Sequence, residues 1–167
     1  MADDFEKQSS EVFDKLQSLL TPEEALPAVE KGAKLIQARA KSLAPVDMGA
    51  LRNGIITDAY VENSDVVSEV SATAPYSGYV EFGTGPKGAA SQGSLPAGID
   101  PLPASAFAQK GWALPPDVAE KLGYKFTNGQ AAQPYMMPAF LAEKDKVVQI
   151  VQKGLLDAVS RAFGGGV

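Results

Sequence analysis

Apolar positions recur at helical spacing near both ends of the chain and alternate in its middle. Phe5, Val12, Phe13, Leu16, Leu19 and Leu20 fall largely on one face of residues 2–20, which contain no proline or glycine, and predict an amphipathic helix. Thr21-Pro22-Glu23-Glu24 then supplies a second helix start: an N-cap, a proline at the first helical position, and two acids where the helix dipole favours them. Pro27 predicts a break or kink, because an interior proline removes a hydrogen bond and disfavours helical geometry before it. From Ala28 the apolar positions Val29, Ala33, Ile36, Ala40 and Leu43 predict a helix to Leu43, stopped by Ala44-Pro45. In "APVDMGALRNGI", Asp47 caps a short turn over Met48 to Arg52, Gly49 serves backbone geometry, and Gly54 releases the chain into a strand. "IITDAYVE" and "VVSEVSATA" read as β-strands joined by a turn at "NSD", with Val66, Val70 and Ala72 on one face and Glu69, Ser71 and Thr73 on the other. A two-strand ribbon alone is marginal, so it is expected to pack on the helices and to gain at least one further strand.

Residues 83–134 change character. Gly and Pro punctuate them, and the clear helical piece is "PPDVAEKLG". "YKFTNGQ" reads as a strand with an Asn-Gly turn that returns the chain to the sheet. This long loop carries Phe107, Trp112, Tyr124 and Phe126. It is either a tolerated surface insertion or an interface loop, since loop aromatics serve as anchors into a core or a partner. Pro138 begins a last helix whose apolar stripe is Val147, Val148, Val151, Leu155 and Val159, and "GGGV" ends it. The pattern is that of a single α+β domain, 1–167. It comprises an N-terminal helical region (2–43), a motif turn with a β-hairpin (44–82), a long loop insertion (83–134) and a C-terminal helix (135–163) packed on the small antiparallel sheet.

Composition narrows the chemistry. With 45% hydrophobic and 21% charged residues, the balance is that of a globular protein that folds in the cytoplasm of the producing cell, and no run of apolar residues is long enough to span a membrane. The chain has no cysteine and no histidine. That excludes disulfides, thiolate nucleophiles, Ser-His-Asp triads and His- or Cys-ligated zinc, and no metal or cofactor is expected. A net charge of −5, with scattered Lys and Arg, argues against gripping nucleic acid.

Gly83, Gly85 and Gly88 in "YVEFGTGPKG" satisfy the letters G-x-G-x-x-G. A dinucleotide turn needs a strand before these glycines, a helix straight after them and an acid at a second strand. Here "YVEF" reads as strand or helix, "PKGAASQGSLPAG" reads as unable to open a helix, and Asp100 lies in "AGIDPLP", which is no strand. Lys87 is followed by Gly88 rather than Ser or Thr, so a Walker loop fails too.

Three motifs carry a different resemblance. "APVDMGALRNGI" resembles an AP-x-D-T-G-x-L-R-x-S-I signature, "PYSGYVEFGTG" a Y-x-x-Y-V-E-F-G-T signature, and "GQAAQPYMMPAF" a Q-P-F-x-x-P-A signature. In that order, before a C-terminal helix, they resemble the neck or tail-completion proteins of long-tailed bacteriophages, small head-to-tail joining and minor tail components. The motifs anchor residues 28–163. Met48 stands for the usual threonine, Gly54 for serine and Tyr135-Met136 for Phe-Leu, and the loop from Gly85 to Gln133 is long for such proteins.

The resemblance implies a non-enzymatic virion protein that forms a homo-oligomeric, sixfold ring at the head-to-tail junction. Its partners would be a head-closure or portal-side protein and a tail terminator or tail tube protein, with DNA passing through unread and no membrane involved. It marks Asp47, Gly49, Leu51, Arg52, Tyr79, Glu81, Phe82, Gly83, Thr84, Pro134, Tyr135 and Pro138 as the structural or assembly motif. Arg52 and Glu81 are either an ion pair, within the protomer or across the ring, or two solvated charges. Pro134 and Tyr135 to Phe140 read as an apolar lead-in to the last helix. Two alternatives stay open: a tail terminator or assembly factor of the same virion, and a carboxylate-based hydrolase using acids such as Glu69 and Glu81.

Overall fold

The computed structural model describes residues 21–46 and 49–164. The helix expected over 2–20 and the cap expected from Asp47 lie outside the described residues. Helix α1 (Pro22–Leu43) begins after Thr21, whose carbonyl accepts from the Glu24 N–H at 3.1 Å, and it carries Glu23 and Glu24 in its first turn. It runs through Pro27 without the expected break. Proline removes one helical N–H bond here, close to the helix start, and the remaining turns carry the helix past it. The stop at Ala44-Pro45 is as expected.

Gly49, in the left-handed region at φ 76, leads into the short helix α2 (Ala50–Asn53), and Gly54 opens strand β1 (Ile55–Glu62). Strand β2 (Asp65–Ala72) pairs with β1 as an antiparallel hairpin. Its loop is Asn63-Ser64, both at positive φ (50 and 71), the combination a tight two-residue type I′ turn requires. Among the described residues this sheet stays two-stranded. The tetrapeptide left open between strand and helix is helical, as α3 (Ser77–Phe82).

Three helical segments lie where none was expected: α4 (Gly85–Ser91), continued by a 3-10 turn over Gln92–Ser94, and a second 3-10 turn over Ala104–Ala106. Helix α5 (Pro116–Leu122) is as predicted, with Gly123 left-handed after it. It is flanked by strands β3 (Trp112–Ala113) and β4 (Phe126–Thr127), which pair with each other. The "YKFTNGQ" strand therefore does not rejoin the main hairpin. Helix α6 (Met136–Gly164) is the last and longest element.

By their contacts the residues form two units. One consists of the chain up to Gln37, Thr57–Val70 and the chain from Glu143 on; the other consists of Ala38–Ile56 and Ser71–Ala142. In the first unit α1 and α6 approach closely through small residues. A Cβ on Gly32 would lie 2.7 Å from Val147 Cγ1, and one on Gly154 would lie 2.5 Å from the Cβ of Ala28. The pairing of 28 with 154 and of 32 with 147 makes the two helices antiparallel. Ala28, Ala33 and Ala158 are buried here, and Glu143, also buried, pairs with Lys146 at 2.9 Å. The covered face of α6 in this unit runs through Glu143, Val147, Val151, Gly154, Leu155 and Ala158, whereas Val148, predicted on the stripe, is 53% exposed. The core of the second unit holds Ala40, Ala44, Leu51, Ile55, Phe107, Tyr135 and Ala139.

Candidate assembly site

A long helix needs partners for its first N–H groups, and the sequence before α6, "QPY", offers no side-chain cap. The partner comes from 54 residues upstream. Glu81, buried on α3, turns its carboxylate onto the start of α6: Oε2 accepts from the N–H of Tyr135 at 2.8 Å and of Met136 at 3.0 Å, and Oε1 from Met137 at 3.0 Å. Pro138 has no N–H to satisfy, and the Ala139 N–H reaches the Tyr135 carbonyl at 3.3 Å. Every donor of the first turn is thereby accounted for. The carboxylate also sits where the helix dipole favours negative charge. The Pro-Tyr-Met-Met-Pro order is thus readable as chemistry, with the second proline deleting the donor the carboxylate does not reach.

Backbone bonds reinforce this clasp. The Gln133 N–H donates to the Val80 carbonyl at 2.8 Å, and Gln130 Nε2 donates to the Tyr79 carbonyl at 2.7 Å. The Thr84 N–H donates to the Gln130 carbonyl at 2.9 Å, and Thr84 Oγ1 accepts from the Gln130 N–H at 3.1 Å. Gly83 makes the approach possible. Its φ of 78 and ψ of 177 are glycine geometry, and a Cβ there would meet Ala132 N at 2.7 Å and Gln130 O at 2.8 Å. Tyr135 is 1% exposed, and the Ser77 hydroxyl donates to the Ala72 carbonyl at 3.4 Å. Burial first, and then the Glu81 charge, raise the Tyr135 phenol pKa above the ordinary 10.0, with the nearby Ser77 hydroxyl opposing.

The first motif joins the same unit. Leu51 is buried, Arg52 Nη2 donates to the Ala44 carbonyl at 3.5 Å, and the Thr73 N–H donates to the Gly54 carbonyl at 2.9 Å. A cleft of ≈ 500 Å³ brings Pro45, Gly49 and Leu51 together with Tyr76, Val80 and Gln133. All three motifs therefore meet. The ion pair considered for Arg52 and Glu81 does not form within the chain among the described residues, because Glu81 is engaged by backbone N–H groups. Arg52 Nε is buried without a partner. Glu69, the other acid considered for hydrolysis, accepts from the Tyr60 hydroxyl at 3.3 Å.

The glycine pattern needs one correction. A helix does open at Gly85, but a helix rather than a strand precedes it, and the returning chain covers its start: the Lys87 N–H donates to the Asn128 carbonyl at 3.1 Å. Gly88 packs against Gly83 and Phe107. The glycines thus serve backbone approach within the protein.

Sequence reading missed Gln92. It is 9% exposed, donates from Nε2 to the carbonyls of Phe82 (2.9 Å) and Gly88 (3.0 Å), and accepts from the Leu102 N–H at 3.0 Å. Ser91, whose hydroxyl accepts from the Ala132 N–H at 2.9 Å, is a second such tie. No sequence signal distinguishes either from an ordinary loop residue. Of the loop aromatics, Phe107 is a core anchor, while Trp112, Tyr124 and Phe126 are 39%, 50% and 57% exposed. Tyr79 is 61% exposed, and Met137 and Phe140 are exposed in the first turns of α6.

Comparison with known proteins adds to this geometry at the level of family. Residues 7–83 match the HK97-gp10-like family, described as "Bacteriophage HK97-gp10, putative tail-component". That stretch contains the Asp47–Arg52 motif and the Tyr79–Gly83 motif, so Glu81 falls inside the match while the helix start it caps lies beyond it. The match supports a structural role as a bacteriophage tail component, and hence a virion protein. No curated protein and no solved structure matches the chain. Among the described residues, no helix is long and apolar enough to cross a membrane.

Proposed function

We propose that this tail component is a neck, or tail-completion, protein: a non-catalytic subunit that assembles with copies of itself into a sixfold ring at the head-to-tail junction. The ring would lie between a head-closure or portal-side protein and the tail terminator or tail tube, leaving a channel for DNA. The observation that carries the reading is the Glu81 clasp, which joins the second and third motifs of that resemblance into one construction. A structural rather than catalytic use fits the engagement of both Glu81 oxygens by backbone N–H groups. An excess of 20 acids over 15 bases suits a wall that DNA passes without adhering.

Native mass spectrometry over a range of concentrations tests the reading, with the chain alone and then mixed with the head-closure and tail tube proteins of the same phage, and with negative-stain images of large species. A closed oligomer with a central hole, bound to both neighbours, is expected. A chain that remains monomeric with both neighbours present would overturn it. A ring that binds only the tail tube end would make it a terminator.

A further inference from the structure

The unit built on α1 and the later part of α6 leaves apolar side chains of α6 facing solvent. Val147 and Gly154 meet α1, whereas Val148 and Leu156, farther round the helix, stand 53% and 66% exposed beside the partly buried Leu155 and Val159. An apolar flank on a helix whose other face is already packed is the surface a further amphipathic helix covers. The chain supplies such a segment. Residues 2–20, which lie outside the described residues, read as an amphipathic helix with Phe5, Val12, Phe13, Leu16, Leu19 and Leu20 on one face.

We propose that residues 2–20 pack as a helix along the Val148–Val159 flank of α6 in the same chain. Where the segment ends selects it as the occupant. Because α1 and α6 are antiparallel, the start of α1 lies beside the end of α6: Glu24 and Pro27 share a depression with Asp157 and Arg161. A helix that turns back at Thr21-Pro22 therefore begins its contact near Arg161 and lies parallel to α6. Leu16 is five residues before Thr21 and Leu156 five before Arg161, so the two come level. At about 1.5 Å per residue, residues 2–20 extend about 28 Å and Val148 to Val159 about 16 Å, so the segment covers the whole flank. Charge favours the same pairing. Residues 2–20 carry five acids against two bases, and α6 from Lys144 to Arg161 carries four bases against two acids. The hairpin residues of this unit, Thr57–Val70, carry four acids and no base, and repel the segment. The flank of a second copy would bring like charge to this one, and the tether at Thr21 favours the chain's own segment over a neighbour's. The proposal does not depend on the neck reading.

The chain has no native cysteine, so a pair introduced into the full-length protein reports proximity directly. Leu16→Cys with Leu156→Cys is oxidised mildly at low protein concentration and compared with Leu16→Cys with Val61→Cys, a 37% exposed hairpin position in the same unit. The first pair should close within one chain roughly tenfold faster or more, since docking raises the effective thiol concentration, and tryptic peptides identify the bond. Equal rates or faster closure to Val61 overturn the proposal, as does a bond found only between two chains, which would put the segment on a neighbour. A second measurement needs no disulfide. The single variant Leu156→Cys is labelled with a maleimide in the otherwise native chain and in one that also carries Val12→Asp and Leu16→Asp, both showing cooperative thermal unfolding. Labelling should be roughly tenfold slower with the native segment, which covers the thiol, and equal rates overturn the docking. Neither readout requires a ring, so native mass spectrometry with the head and tail neighbours judges the neck reading separately.

Discussion

Glu81→Gln isolates the chemistry of the clasp with almost no change of shape. In the native chain Oε2 serves two N–H groups and Oε1 serves one, all at 2.8–3.0 Å, and Glu81 itself is 5% exposed. A glutamine has one acceptor oxygen. Placed over Tyr135 and Met136, it turns its NH₂ toward the Met137 N–H, donor against donor. One bond to a charged group is then lost, at about 1.5–3 kcal/mol, and the other two fall to neutral strength. The charge–dipole contribution at the start of α6, up to about 2 kcal/mol in a partly buried geometry, goes as well. These effects overlap, so the expected loss is about 2–4 kcal/mol for glutamine. For Glu81→Ala, which leaves all three donors without a protein acceptor, it is about 3–6 kcal/mol. Urea unfolding followed by circular dichroism and by Trp112 fluorescence measures both, and hydrogen exchange at Met136 and Met137 should accelerate. A glutamine variant within about 0.5 kcal/mol of wild type, the range of ordinary surface changes, would refute the claim that the carboxylate holds the helix start.

The remaining expectations follow from close approach and burial. Gly83→Ala forces a Cβ into the backbone of Ala132, Gln130 and Gly88 at 2.7–2.8 Å, and from a glycine-only conformation; a loss above about 3 kcal/mol in thermal unfolding is expected. Gly154→Ala gains about 1 kcal/mol of helix propensity but sets its methyl 2.5 Å from Ala28 Cβ, so a net loss of about 1–2 kcal/mol is expected; a stabilised variant would show that the α1–α6 approach is looser. The folded pKa of Tyr135 lies above its unfolded value near 10.0, so this group's contribution is whole below that pH and is lost as pH rises through the folded pKa. Unfolding measured from about pH 8 to 11 should therefore show wild type losing more stability than Tyr135→Phe, and parallel losses would contradict the burial argument.

The legible parts of the fold were those set by local pattern. The two ends of α1, the β1–β2 hairpin, α5 between its prolines and Gly123, and the run of α6 each follow within a few residues from local spacing and turn residues. What escaped was decided at long range. Helix α4 has the sequence "GPKGAAS", which propensity reads as loop; it forms because its glycines admit Gly83 and Phe107 and because Asn128 accepts from its first turn. Val148 belongs to the apolar stripe by residue type, but the covered face of α6 runs through the glycine at 154, against Ala28, and the alanine at 158. Pro27 predicts a break or kink, yet little of the helix depends on its N–H, so close to the helix start. For Glu81 there was a signal, and it was an absence. A 29-residue helix preceded by Gln-Pro-Tyr has no cap of its own, so an acceptor had to come from elsewhere.

The same bonds explain how a long insertion can coexist with a tightly determined site. The chain leaves the clasp at Thr84 and returns at Gln130, where two backbone-directed bonds of 2.9 and 3.1 Å pin both ends. Between pinned ends, added length costs only the slowly growing entropy of closing a loop. The clasp itself is made by residues 79–84 and 130–137, and the first part of the insertion buttresses it, Ser91 at the Ala132 N–H and Gln92 at the Phe82 carbonyl, while Trp112, Tyr124 and Phe126 lie beyond those ties. The surface these three present can therefore be shaped to a partner without altering the clasp.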